Sequence, residues 1–265
     1  MATDADTGAQ RTTTGAWDAS PVVDGTPTTD YRSWKFLAWM GPVFLAAFTC
    51  LWGILAGNIP PFSPNADPQA VWQHYHDDRL PILIGMSVCL TLTACYMAWS
   101  VAVSRVMERI EGPGGVWSKI EIMGGTITCA PIMTACAMWL AAAHEIDYIT
   151  PGVAHLLYWM GWLLIDLAYM VTSFQIAGAA IVFMKDRRPK KLVPDVVSWW
   201  GWVTVASFFV VNAIPFVTTG PLAFNGAISF WFAFFTWFFW IPSMSYFVIK
   251  AVDRIKAEDA AGLAG

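Results

Sequence analysis

A chain of 265 residues that is 57% hydrophobic and only 13% charged, with 16 Trp and 17 Phe, has a membrane composition and lies outside the soluble range. Its formal net charge of -4 gives no basic surface on which to expect nucleic acid, and the length suits one helical bundle with no room for a second soluble domain.

Residues 1–33 are rich in Thr, Asp, Ala and Gly, contain no apolar core, and read as a disordered tail that is neither signal peptide nor folded unit. Six apolar segments follow, at residues 34–56, 80–106, 120–143, 153–184, 196–217 and 227–249. They predict an all-α, polytopic membrane bundle of six transmembrane helices over 34–252, with a C-terminal cytoplasmic tail over 253–265. Of the 15 Lys and Arg residues, all but Arg79 fall in the tails and in the connections after the second and fourth spans. The positive-inside rule then predicts that both termini are cytoplasmic.

The opposite loops are acidic, with Asp67, Asp77, Asp78, Glu145 and Asp147. In the first of them Asp67 is a natural N-cap and Pro68 suits the first helical position, which predicts a short interfacial helix with Val71, Trp72 and Tyr75 along one side. Such a helix reads either as a partial lid or as an interfacial element with no gating role. Cys50, Cys89, Cys95, Cys129 and Cys136 all fall inside predicted spans, so packing explains them better than a disulfide framework. Gly124-Gly125 and Pro131 in the third span, Pro215 in the fifth and Pro242 in the sixth are places where helices bend. From Phe230 to Trp240 all residues but Ala233 and Thr236 are aromatic, so some rings meet lipid while others fill the bundle or stack on an apolar ligand. Six spans also permit a three-plus-three inverted repeat, although the two halves share no motif.

The fourth span carries the most informative pattern. At 1.5 Å per residue it is roughly 46 Å long, and Asp166 lies about 20 Å along it, near mid-membrane. A carboxylate at that depth costs several kcal/mol if ionised and unpaired, so it is neutral, paired or facing water inside the protein. Asp166 stands out as the ionisable residue placed well inside a span. His155, Trp159, Trp162, Asp166, Tyr169 and Ser173 recur at steps of three and four and form one polar and amphipathic stripe facing the bundle interior or a cavity. Asn212, Thr126, Thr128 and Thr134 are the expected partners of Asp166 across helices. A packing role for Asp166 and a ligand-binding or proton-handling role both remain open.

Near the acidic loops His144, Glu145, Asp147 and His155 have the donor chemistry for zinc, copper or non-haem iron. Their spacing matches no metal motif, and solvated loop residues are the better reading, so no cofactor is expected. Glycine-rich phosphate loops and serine nucleophile elbows are absent from the sequence.

Several segments carry a family resemblance: Phe62-Ser63-Pro64, Arg109-Ile110-Glu111-Gly112, Asp186-Arg187-Arg188-Pro189, and Thr219-Gly220-Pro221-Leu222-Ala223-Phe224-Asn225-Gly226. From residue 34 to 254 the chain resembles a group of uncharacterised six-span membrane proteins, largely actinobacterial and also found in some proteobacteria. The resemblance implies the topology and an inner-membrane location, and a loop of fixed shape before the sixth span. It carries no activity and no catalytic residue. Three function classes follow. The first is a protein that binds or transports a small apolar or weakly acidic molecule through a cavity lined by the fourth span. The second is an accessory or anchoring subunit of a larger membrane complex, or a homo-oligomer, with the stripe as its contact. The third, an enzyme with a metal site at the outer end of spans three and four, is the least supported.

Overall fold

A computed structural model describes residues 29–262, so residues 1–28 of the expected tail lie outside the described residues. The described chain is an all-α bundle, and six of its helical segments are long and apolar enough to cross a membrane: Tyr31–Leu55, Arg79–Glu111, Val116–His144, Pro151–Met184, Asp195–Ala213 and Ala227–Ala260. Such segments place the chain in a lipid bilayer. They coincide with the predicted apolar segments because the hydropathy signal depends only on the chain's own composition.

Within these spans the helices are α1 Tyr31–Ala47, α3 Arg79–Leu92, α4 Ala94–Glu111, α5 Val116–His144, α6 Pro151–Leu167, α7 Tyr169–Met184, α8 Asp195–Val210 and α9 Ala233–Ala260; α2, Pro68–Asp77, belongs to the first long loop. Two spans that read as continuous are interrupted, the second at Thr93 between α3 and α4, the fourth at Ala168 between α6 and α7. No Gly or Pro stands at either break. The first span ends in a π-helical stretch, Phe48–Leu55, and the sixth begins with another, Ala227–Phe232. Pro215 does not bend the fifth span: the helix has already ended, and Pro215 lies in the turn beyond Ala213, where it has no N–H to continue the ladder. At the other end of the chain α9 runs on to Ala260, past the predicted boundary at 252, with Ile255 buried.

The charged ends of the bundle hold its helices in register. At the basic end, Arg109 pairs with Asp259, Lys35 with Asp253 at 2.8 Å, and Arg188 with the buried Asp186 at 3.1 Å. Arg254 donates to the Lys191 carbonyl at 3.1 Å. At the acidic end, Arg79 bonds Asp147 and the His144 carbonyl, both at 2.6 Å. There α2 is capped as predicted: the Asp67 side chain accepts from the Gln69 N–H at 3.0 Å. Its Val71 and Tyr75 are buried, and the Trp72 indole donates to the carbonyls of Ile146 and Ile149 at 3.1 and 3.2 Å, so α2 is docked on the bundle.

Gly124 and Gly125 let helices approach. A Cβ on Gly125 would lie 2.3 Å from Ser100 Oγ and 2.7 Å from Gln175 Nε2, and one on Gly124 would lie 2.7 Å from the Val171 carbonyl. The missing side chains bring α4 and α7 against α5 at one level, as small residues do between membrane helices.

Candidate functional site

The stripe on the fourth span does face inward over most of its length. Trp162, Tyr169 and Ser173 are buried, while His155, Trp159 and Asp166 are half-buried. Asp166 lies two residues before the helix break and lines a cavity of about 50 Å³. That volume holds a few waters, or a molecule of a few heavy atoms. Thr128, Pro131 and Ile132 of α5 form one wall, Tyr169 and Thr172 of α7 another, Phe208 of α8 and Val211 just beyond it a third. Ser229, Ala233, Phe234 and Trp237 of the sixth span complete it.

The expected partners of Asp166 bond elsewhere. Thr126 and Thr134 donate to carbonyls one turn back in α5, at 2.7 and 2.8 Å. Thr128 and Thr172 bond each other at 2.8 Å, and Asn212 donates to the Tyr169 hydroxyl and to the Phe209 carbonyl. Short hydroxyl side chains in a helix satisfy themselves on the carbonyl four residues back before they reach a neighbour, which is why spacing alone misassigned them. Among the described residues no hydrogen bond or ion pair reaches the Asp166 carboxyl.

Toward the acidic end the cavity is overlain by aromatic rings. Trp162 meets Phe224 at 4.7 Å, Trp52 at 5.2 Å and Trp139 at 5.4 Å between ring centroids. Gly161 gives Trp139 its place, since a Cβ there would lie 2.5 Å from that indole. Tyr158 joins the layer and accepts a hydrogen bond from the Phe62 N–H at 2.9 Å. His155 accepts from the Trp159 indole at 2.9 Å, so its proton resides on Nδ1 when the ring is neutral.

The candidate metal residues do not assemble. His144 bonds its neighbour Glu145 at 2.6 Å, Asp147 bonds Arg79, and His155 bonds Trp159. Among the described residues no three His, Cys, Asp or Glu side chains come together as a metal set. The five cysteines are free; Cys50 is exposed, and Cys89, Cys129 and Cys136 are buried.

A second carboxyl was missed. Glu121 is the second residue of the predicted third span, 120–143, too near its end to stand out in the sequence. The helix actually begins at Val116, and Glu121 is completely buried between α4 and α7. Its Oε1 accepts from Ser100 Oγ at 2.8 Å and from Gln175 Nε2 at 3.1 Å, and the Tyr96 hydroxyl donates to Gln175 Oε1 at 2.8 Å. Its Oε2 is buried with no partner among the described residues. The signals in the sequence were a polar Gln175 inside the fourth apolar span and the Gly124-Gly125 pair inside the third, which the fold brings together. Comparisons with family models, curated proteins and solved structures find no match. The reading therefore rests on the site itself: an unpartnered carboxyl in a mid-bundle cavity, and a buried polar cluster nearer the basic end.

Proposed function

We propose that this chain is a multi-pass protein of a bacterial inner membrane, with both termini cytoplasmic, that binds or transports a small, mostly apolar molecule in the cavity lined by the fourth span. The observation carrying this reading is the Asp166 carboxyl, which borders an otherwise largely apolar cavity and has no hydrogen bond among the described residues. A polar group in such a place costs about 1–3 kcal/mol when left unsatisfied, so a ligand that supplies its partner recovers that cost. The ligand class that fits has a few heavy atoms, an apolar body and one hydrogen-bonding head: a short alcohol or an undissociated short-chain acid. Orientation follows from the clustering of Lys35, Arg109, Arg188, Lys191 and Arg254 at one end of the bundle, which is the cytoplasmic end under the positive-inside rule.

The test is ligand-observed saturation-transfer NMR on the protein in lipid nanodiscs, with 1-propanol and propionic acid as probes. Transfer is expected in the wild type, and lost in Ala233→Leu, which fills the cavity. It should be retained in Ala206→Leu, the same enlargement on an exposed face of α8. Asp166→Ala should weaken both probes about threefold to tenfold, the loss of one hydrogen bond. Equal transfer in wild type and Ala233→Leu overturns the proposal.

A further inference from the structure

Near its basic end the bundle carries a groove on its flank, separate from the Asp166 cavity. Val196, Val197 and Trp200 of α8 form one side, and Phe239, Pro242, Ser243 and Tyr246 of α9 the other. Steps of three and four keep these positions on one stripe of each helix. The groove encloses about 440 Å³, far more than the Asp166 cavity, and opens at the surface, where Val196, Phe239 and Tyr246 are each at least half exposed. Both helices belong to membrane-spanning segments, so the medium at this opening is lipid. From Tyr246 to Phe239 the groove runs roughly 10 Å along α9, from the charged end toward the hydrocarbon.

Along this stretch the polar groups are already engaged. The Trp200 indole donates to the Thr236 carbonyl at 2.9 Å, and its ring meets Phe239 at 5.1 Å between centroids, which fixes the floor. Ser243 Oγ donates to the Phe239 carbonyl one turn back, at 2.7 Å, so its proton is not offered to an occupant. The remaining walls are valine, phenylalanine and proline, a lining suited to a hydrocarbon chain.

Polarity returns at the mouth. Lys250, one turn beyond Tyr246, lies with Nζ 4.1 Å from the centroid of that ring and bonds its hydroxyl. Neighbouring cations are held by carboxylates: Lys35 by Asp253, Arg109 by Asp259 and Arg188 by Asp186. Lys191 holds Asp195 at 2.5 Å and so neutralises the carboxylate next to Val196. Among the described residues Lys250 has Tyr246 as its partner and no carboxylate. An apolar groove that ends at a cation without a counter-ion complements an amphiphile with a hydrocarbon chain and a negative head.

We infer that this groove binds an anionic phospholipid from the leaflet at the basic end, with one acyl chain between α8 and α9 and the phosphate at Lys250 Nζ. A zwitterionic lipid brings the same chain and phosphate, but its quaternary ammonium offsets the attraction. One lysine beside an anionic headgroup corresponds to about a fivefold preference in binding. The site is independent of what the Asp166 cavity holds.

Native mass spectrometry of the full chain in detergent, titrated with dioleoyl phosphatidylglycerol or dioleoyl phosphatidylcholine, reads the first binding step of each lipid. The wild type is expected to take up the first phosphatidylglycerol about fivefold more tightly. Lys250→Gln, which keeps much of the stem and removes the charge, should bring the two lipids within twofold of each other. Lys256→Gln, at an exposed lysine of the same helix that does not line the groove, should keep the preference. Ser243→Phe fills the groove and should lower the first step of both lipids to the level of later ones; should that variant not fold, Val196→Phe narrows the groove from its exposed rim. Equal first steps in the wild type overturn the proposal, as does a preference that survives Lys250→Gln or a first step unchanged by the filled groove. Loss of the preference to the same extent in Lys256→Gln assigns it to diffuse surface charge and also overturns the site. A wild-type dimer that Ser243→Phe or Val196→Phe dissociates gives the groove to a second copy of the chain and overturns the lipid assignment.

Discussion

Replacing Gly125 by Ala tests the packing on which the Glu121 cluster depends. The added methyl would lie 2.3 Å from Ser100 Oγ, 2.6 Å from Ser100 Cβ and 2.7 Å from Gln175 Nε2. These atoms belong to the two side chains that satisfy Glu121, so neither can yield without stranding the carboxyl. Overpacking of this kind costs about 1–3 kcal/mol, and a buried acceptor losing a donor costs about 1–3 kcal/mol more. The helix-propensity gain of Ala over Gly, about 1 kcal/mol, offsets part of this. The net loss of about 1–5 kcal/mol, about 3 at the centre, corresponds to a fall of roughly 6–12 °C at that centre in the unfolding midpoint of a chain this size. The comparison variant is Gly152→Ala, where the nearest atom is Thr150 Oγ1 at 4.0 Å and the site is the first turn of α6. Thermal unfolding of both in the same detergent, followed by intrinsic fluorescence at one scan rate, should show Gly152→Ala at or above the wild-type midpoint and Gly125→Ala well below it. Gly125→Ala unfolding together with Gly152→Ala would refute the claim that this glycine exists to admit Ser100 and Gln175.

Other consequences are simpler to check. Single cysteines at Asp147 and Lys190, in a background lacking the native five, should react with an impermeant maleimide from opposite sides of the membrane; reaction from one side only sinks the six-span topology. Elemental analysis of purified protein should find zinc, copper and iron well below stoichiometric, with no change in His155→Ala, since His144, Glu145, Asp147 and His155 each bond elsewhere or to a neighbour. Asp67→Ala removes the cap of α2 and should cost about 1 kcal/mol, raising amide exchange across Pro68–Asp77 roughly fivefold while leaving α5 unchanged. Asp77, at the end of α2, is held below the usual carboxylate range by hydrogen bonds from Gln73 and His76. Its contribution is therefore present at neutral pH and is lost as the pH falls through that lowered value, so the protection of α2 amides relative to the unfolded chain should stay flat down to about pH 4 and fall below it.

The broad architecture was legible in the sequence because it depends on quantities that each residue carries with it. Apolar runs of sufficient length must be helical in lipid, where every backbone polar group has to be satisfied within its own segment. The six spans and the α2 cap therefore survive with small shifts at their ends, and the inward stripe on the fourth span follows from helical periodicity alone. Asp166 could be singled out for the same reason, since depth along a helix is a count of residues. What it faces could not be, because a cavity is defined by side chains from four spans that the sequence does not order in space. Thr126, Thr128, Thr134 and Asn212 had the right chemistry to partner Asp166, and each found a nearer bond. Glu121 shows the limit most clearly: as a residue at the end of an apolar run it is indistinguishable from a solvated interfacial glutamate. Only the approach of α4 and α7 over Gly124 and Gly125 encloses it and supplies Ser100 and Gln175. Local periodicity and composition set which segments cross and which faces turn inward; the close packing of those faces, a property of pairs of helices far apart in the chain, decided which polar groups meet and which carboxyl oxygen is left without a partner.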